Sequence, residues 1–108
     1  MKILKLTLKK KWFDMILSGE KKEEYREIKR YWIQRLCDEF KFEIFDPECF
    51  KHFDLIEFSN GYGHKVPKFT IKCEGFKISK GNTLWGAEPN MYYFVVKLGH
   101  IVSTSNLL

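Results

Sequence analysis

The sequence of 108 residues has no long apolar run and no paired cysteine motif. A membrane-spanning helix needs roughly 20 consecutive apolar residues, and no segment approaches that length. The first residues lack the apolar region and small-residue cleavage site of a signal peptide. Cys37, Cys49 and Cys73 form no CxxC pair, which fits a reducing compartment better than a disulfide framework. We therefore expect a cytoplasmic protein with no membrane partner.

Motifs for common cofactors and hydrolase nucleophiles are also missing. There is no glycine-rich phosphate loop, no G-x-S-x-G and no HExxH. Cys49-x-x-His52, with Cys73 and His100 further along, has a weak spacing for zinc, and packing roles explain these residues better. The sequence therefore predicts no metal and no cofactor.

Arginine is scarce, because lysine supplies sixteen of the nineteen positive charges. Bidentate reading of guanine by arginine is therefore not the expected mode of recognition. The net charge of +5 divides into +5 for residues 1–30, −4 for residues 31–60 and +4 for residues 61–108. Basic ends around an acidic middle favour a face that attracts phosphate.

Hydrophobic spacing predicts the elements. Leu4, Leu6 and Leu8 alternate with polar residues as in a strand, whereas Trp12 and its neighbours follow at helical spacing up to a glycine that would cap the helix. The predicted strands cover residues 2–8, 21–28, 54–58, 68–78 and 91–102, and the predicted helices cover residues 9–18 and 30–40. Residues 59–63 read as a glycine-rich turn and residues 81–90 as a loop, while Pro47 leaves residues 41–53 without an assignment.

This order of elements predicts an α+β fold. The strands lie too close together in sequence for repeated crossover units, so a small mixed or antiparallel β-barrel with two helices inserted early is the economical architecture. A chain of this length allows one domain with one modest core, residues 1–108. We expect a monomer.

The most unusual stretch is the charged segment that follows the first helix. In a strand, Glu24, Arg26 and Ile28 share one face with Lys22, and Ile28 indicates that this face turns inward. Lys21 stands where the backbone bends, so its side chain is free to point to the same place. Buried charges must be paired. One interpretation is a structural ion-pair network, and the other is a site that uses both signs.

The spacing Gly19-x-Lys21-x-x-Glu24-x-Arg26 resembles the GxKxxExR signature of the ASCH domain, a family similar to the PUA domains that bind RNA. The preceding helix, residues 12–19, and the last strand, YYFVVKLG, also resemble the family, whereas residues 38–52 do not. The resemblance implies a PUA-like barrel. It also implies a cleft lined by Lys21, Glu24 and Arg26 that receives RNA or a modified nucleoside.

Some small relatives in that family hydrolyse the acetyl amide of N4-acetylcytidine with a lysine, a threonine and a later glutamate. Here Lys21 matches the lysine, Glu24 replaces the threonine, and Glu88 is the sole carboxylate in the loop of residues 81–90. The enzyme hypothesis takes Lys21 as base or nucleophile, Glu24 as proton carrier and Arg26 as the group that fixes Glu24 or an anion. The alternatives are a non-catalytic RNA-binding module, a ribonuclease-like domain and, more distantly, a protein-interaction domain.

Several further residues are candidates for ligand binding. Three lysines at the start of the first helix oppose its dipole, so they indicate either phosphate attraction or a solvated basic face. Aromatic residues in turns can stack on bases, although each can equally be an exposed turn residue or part of the core. The predicted ligand-binding residues are Lys9, Lys10, Lys11, Tyr25, Asn60, Tyr62, Trp85 and Glu88.

Overall fold

The computed structural model describes residues 1–43 and 47–107 of the chain. The described residues form strands β1 (Ile3–Thr7), β2 (Glu23–Glu27), β3 (Leu55–Ser59), β4 (Lys68–Lys80) and β5 (Tyr92–Ser105), and helices α1 (Lys10–Leu17) and α2 (Arg30–Leu36). A short 3₁₀ turn, Thr83–Trp85, lies in the loop between β4 and β5. Both helices come before β3, so the order of elements follows the sequence-based prediction.

The strands form one curled sheet with the order β1-β3-β4-β5-β2. β1 runs parallel to β3, and the other neighbouring pairs are antiparallel. The sheet curls into a half-barrel whose edge strands are β1 and β2. The predicted α+β fold, a small mixed sheet with two early helices, is therefore confirmed.

Local sequence patterns explain β1 and α1. In β1, Leu4 and Leu6 are buried while Lys5 between them is exposed, as alternation requires. α1 ends because Gly19 has φ +86°, a left-handed conformation that favours glycine. The two helices have eight and seven residues, and no helix in the described part of the chain is long and apolar enough to span a membrane.

One main hydrophobic core lies between the concave face of the sheet and the two helices. Its buried members come from every strand except β2, from both helices, from the connection between β1 and α1 and from the segment between α2 and β3. They are Leu4, Leu6, Leu8, Phe13, Ile16, Leu36, Cys37, Cys49, Ile56, Phe58, Phe69, Ile71, Phe94 and Val96. A smaller cluster, formed by Ala87, Tyr93 and Val95 with Tyr25 against it, packs the loop of residues 81–90 onto β2 and β5.

The second helix is shorter than predicted. It ends at Leu36 because Cys37 adopts an extended backbone and forms an isolated antiparallel bridge with Phe50. Two backbone hydrogen bonds of 2.8 Å, from Asp38 N to the Cys49 carbonyl and from Lys51 N to the Leu36 carbonyl, hold this bridge. Residues 44–46, within the stretch that had no assignment, and residue 108 lie outside the described residues.

Candidate functional site

A cleft of about 420 Å³ opens at the seam between the two edge strands of the sheet. This volume falls in the range of roughly 300–1,000 Å³ typical of small-molecule sites. Its walls come from the end of β1, the start of α1, β2, α2 and the loop of residues 81–90. The lining residues are Thr7, Leu8, Lys9, Trp12, Lys21, Glu24, Tyr25, Arg26, Glu27, Trp32, Trp85 and Gly86.

A buried charge network forms part of the cleft wall. Lys21 Nζ lies 3.0 Å from Glu24 Oε1, and Arg26 Nη2 lies 2.6 Å from Glu24 Oε2. Only 3% of Lys21 and 6% of Glu24 is exposed. One carboxylate thus stands between two cations and pairs with both, which is what the burial of such charges requires.

The end of α1 explains how Lys21 reaches this network. After Gly19 the chain folds back, and Lys21 N donates to the Met15 carbonyl at 2.9 Å. The side chain therefore points inward before the strand begins. Lys22, which the alternation grouped with Glu24 and Arg26, is exposed instead, because the paired strand starts only at Glu23.

Arg26 links the network to the opposite edge of the sheet. Its Nη2 donates to the Thr7 carbonyl of β1 at 3.2 Å, and its guanidinium carbon lies 4.8 Å from the centre of the Trp32 ring. Its Nε is buried and has no hydrogen-bonding partner among the described residues. Arg26 therefore spans the seam while Trp32 covers its guanidinium.

Lys21 stands in an aromatic environment. Its Nζ lies 4.6 Å from the centre of the Trp12 ring and 5.2 Å from that of Tyr25, and it donates to the carbonyl of Trp85. Burial lowers the pKa of Lys21 below its usual value, and the nearby Arg26 charge acts in the same direction, while Glu24 opposes both. The site therefore favours the neutral amine more than water does.

Two tyrosine hydroxyls anchor the loop of residues 81–90. Asn82 N donates to the Tyr25 hydroxyl at 2.9 Å, and Glu88 N donates to the Tyr93 hydroxyl at 2.8 Å. The Tyr25 hydroxyl in turn donates to Glu23 Oε1 at 2.8 Å. Burial raises the pKa of Tyr25, so this hydroxyl keeps its proton and both hydrogen bonds.

Gly86 brings the same loop down onto Trp12. It has φ +102°, and a Cβ built there would lie 2.9 Å from a carbon of the Trp12 ring. Only a glycine permits both this backbone conformation and this close approach. The preceding carbonyl, that of Trp85, consequently reaches Lys21.

The structure brings together six of the residues that the sequence predicted for the site. Lys21, Glu24 and Arg26 form the network. The half-buried Tyr25 lines the cleft with its ring and holds the loop of residues 81–90 through its hydroxyl. Lys9 comes directly before α1 and lies at the cleft mouth. The six are Lys9, Lys21, Glu24, Tyr25, Arg26 and Trp85.

Five predicted ligand-binding residues lie outside the cleft lining. Lys10 pairs with Asp14 at 2.6 Å on the exposed face of α1, and Lys11 Nζ lies 4.7 Å from the centre of the Trp12 ring. Asn60 and Tyr62 lie in the turn between β3 and β4, which lines no part of the cleft. The side chain of Glu88 is exposed and does not line the cleft. The five are Lys10, Lys11, Asn60, Tyr62 and Glu88.

Sequence reasoning missed two of the cleft's aromatic walls. The helical spacing predicts Trp12 only as part of the apolar stripe of α1, and Trp32 is not among the predicted ligand-binding residues. A tryptophan in the first helical turn, directly after three lysines, was the available signal for Trp12. Trp32 gave no comparable signal, because only the three-dimensional structure places it over Arg26.

The residues considered as zinc ligands have other surroundings. Cys49 is buried against Cys37, and the two Sγ atoms lie 3.0 Å apart. His52 pairs with Asp54 at 3.0 Å on the surface. Within residues 1–43 and 47–107, no three His, Cys, Asp or Glu side chains form a group that could hold a metal ion.

Comparison of the chain with family models, curated proteins and solved structures gives no match. The resemblance to the ASCH domain therefore rests on the GxKxxExR spacing and its context in the sequence. What that resemblance implies about activity stays a prediction.

Proposed function

We propose that this protein binds a single nucleobase in the cleft, either as a modified nucleoside or as part of an RNA. The observation that carries the proposal is the buried Lys21–Glu24–Arg26 network beside the rings of Trp12 and Trp32. Flat rings stack on a base, and fixed charged groups recognise its polar edge. The ASCH resemblance implies the same class of ligand.

The network favours a ligand with hydrogen-bond acceptors. Both oxygens of Glu24 are engaged by cations, so the carboxylate offers little to a ligand directly. Arg26 uses only Nη2 for its hydrogen bonds within the described residues, which leaves the N–H groups of Nη1 for a carbonyl or ring nitrogen. Cytosine, with its O2 carbonyl and unprotonated N3 as acceptors, fits this chemistry.

A second candidate function is hydrolysis of an acylated base such as N4-acetylcytidine. The favouring observation is the environment of Lys21, whose two acceptors are Glu24 Oε1 and the Trp85 carbonyl. A neutral amine keeps two N–H bonds for these acceptors and directs its lone pair elsewhere. Lys21 would take a proton from water as the water oxygen attacks the acetyl carbon. The C–N bond then breaks, and Lys21 returns the proton to the leaving amine, which gives cytidine and acetic acid, and the acid releases its proton to water.

The test is binding and turnover of N4-acetylcytidine by the purified protein. Saturable shifts in the NMR spectrum measure binding, and chromatography measures cytidine formation. We expect the wild type to bind and Lys21→Met to lose turnover by about 100-fold or more, the usual contribution of a general base. Because burial lowers the pKa of Lys21, the rate should rise with pH through an inflection below 10.5, as the amine loses its proton.

The matched control is Lys22→Met, which removes the exposed neighbouring lysine and should leave binding and turnover unchanged. Absence of saturable binding both by the nucleosides cytidine, N4-acetylcytidine and uridine and by a short cytidine oligonucleotide would refute the binding proposal. Binding without turnover at any pH would leave the base-binding function in place and reject the hydrolase.

A further inference from the structure

The outer face of α2 carries an aromatic and cationic group next to the cleft. The rings of Tyr31 and Trp32 meet edge to face, with centres 4.9 Å apart. The guanidinium carbon of Arg35 lies 5.2 Å from the Trp32 centre and 5.8 Å from the Tyr31 centre. Tyr31 is 56% exposed, so this large ring does not contribute to the core.

This group is held in place. Arg35 Nη2 donates to the Lys5 carbonyl of β1 at 2.9 Å, and Arg35 Nη1 lies 3.5 Å from the Tyr31 hydroxyl. The guanidinium is therefore oriented by two partners while it stands beside both rings. An ordered cation beside two rings loses less conformational entropy when a ligand binds than a free surface arginine does.

The group is continuous with the cleft. Trp32 contacts Arg35 on α2 and also Arg26 inside the cleft, at 4.8 Å. On the far side of the network, Lys21 and Lys11 both lie within 5 Å of the Trp12 ring centre. We call this series of rings and cations the aromatic strip, which comprises Tyr31, Arg35, Trp32, Arg26, Lys21, Trp12 and Lys11.

Charge around the strip has the sign that a polyanion needs. Lys29 lies directly before α2 and Arg30 begins it, Lys9 lies directly before α1, and residues 1–30 together carry a net charge of +5. Stacking rings interleaved with cations are the arrangement by which proteins bind single-stranded nucleic acids, because every base has a flat face and every nucleotide a phosphate. A lone nucleoside would fill the cleft and leave Tyr31 and Arg35 unused.

We propose that the aromatic strip binds a single-stranded polynucleotide, with one base in the cleft and an adjacent base on the Tyr31 ring of α2. This inference rests on the proposed function, since the cleft supplies the first base position. Arg35 contacts the phosphate between the two bases. A ligand that contacts the whole strip is therefore an oligonucleotide strand rather than a free nucleoside.

The test compares ligands of different length on the wild type and on Tyr31→Ala. Fluorescence anisotropy measures binding of labelled RNA and DNA octamers of cytidine, and NMR measures binding of cytidine itself. We expect the octamer to bind at least tenfold more tightly than the nucleoside. Tyr31→Ala should weaken octamer binding about fivefold or more, the loss expected for one stacked base, without changing nucleoside binding. The octamer that binds more tightly shows whether the protein prefers RNA or DNA.

Salt dependence tests the role of Arg35. For a single strand, the slope of log affinity against log salt changes by about 0.7 for each phosphate contact. Arg35→Gln should reduce the slope by that amount. The matched control is Tyr92→Ala with Lys80→Gln, because these residues form a ring and cation pair 5.7 Å apart that lines no part of the cleft. The control should change neither the affinity nor the slope.

The outcomes separate the two proposals. Nucleoside binding with an octamer that binds no more tightly would overturn the strip and leave the proposed function intact. An octamer that binds Tyr31→Ala and wild type equally would do the same, because its second base would then lie elsewhere. If neither ligand binds, the proposed function itself fails.

Discussion

The Glu24 carboxylate shows how strongly burial changes the value of one ion pair. Arg26–Glu24 and Lys10–Asp14 have the same separation, 2.6 Å. The side chain of Glu24 is only 7% exposed, however, whereas that of Asp14 is 51% exposed. In water the second pair is screened. Removal of Glu24 would leave the buried Lys21 and the partly buried Arg26 without the carboxylate that pairs with both.

We therefore expect Glu24→Ala to lower the free energy of unfolding by about 3 kcal/mol, as is typical when one partner of a buried pair is lost. Asp14→Ala, which breaks a pair of equal length on the surface, should cost about 0.5 kcal/mol or less. Urea denaturation of the two variants beside the wild type measures both values. Equal effects would show that the network contributes no more to the free energy of unfolding than a surface ion pair does.

The loop of residues 81–90, which connects β4 to β5, also forms a wall of the cleft. Two tyrosine hydroxyls fix its ends, and Gly86 fixes its middle by lying against Trp12. A Cβ at Gly81 would likewise lie 2.8 Å from the Tyr25 ring. The position of the Trp85 carbonyl over Lys21 thus depends on close contacts that only glycine permits.

Gly86→Ala tests this dependence against Gly63→Ala. Both glycines have positive φ, +102° and +111°, but a Cβ at Gly63 would meet no atom within 4 Å. Each substitution should cost about 1 kcal/mol from left-handed strain, measured by urea denaturation. Only Gly86→Ala should also displace the loop from Trp12 and weaken binding of the nucleoside. Equal binding by the two variants would mean that the loop does not shape the cleft.

Much of the fold could be predicted from local spacing, and the charged centre of the site from one motif. Alternation in β1 and the glycine after α1 placed those elements correctly, because such signals act within a few residues. The end of α2 was wrong by several residues, since it depends on a bridge between Cys37 and Phe50 that no local pattern encodes. The wall formed by Trp32 is missed for the same reason: its contact with Arg26 arises only when the sheet curls.

The open seam of the half-barrel gives Arg26 a role in the whole molecule. It sits on β2 and donates to the Thr7 carbonyl of β1, so it joins the two edges of the sheet. Arg26→Lys keeps a positive charge beside Glu24 but replaces the rigid guanidinium, whose Nη2 donates to both Glu24 and the Thr7 carbonyl, with a flexible ammonium group. We expect the amides of β1 and β2 to exchange with deuterium about fivefold faster in this variant, the effect of losing one hydrogen bond of about 1 kcal/mol, while those between β4 and β5 keep their protection.

Arg35→Gln is the control, because Arg35 bonds to the Lys5 carbonyl from α2 rather than from β2, so the exchange of β2 should stay unchanged. Faster exchange of β2 in both variants, or in neither, would contradict the closure of the seam by Arg26.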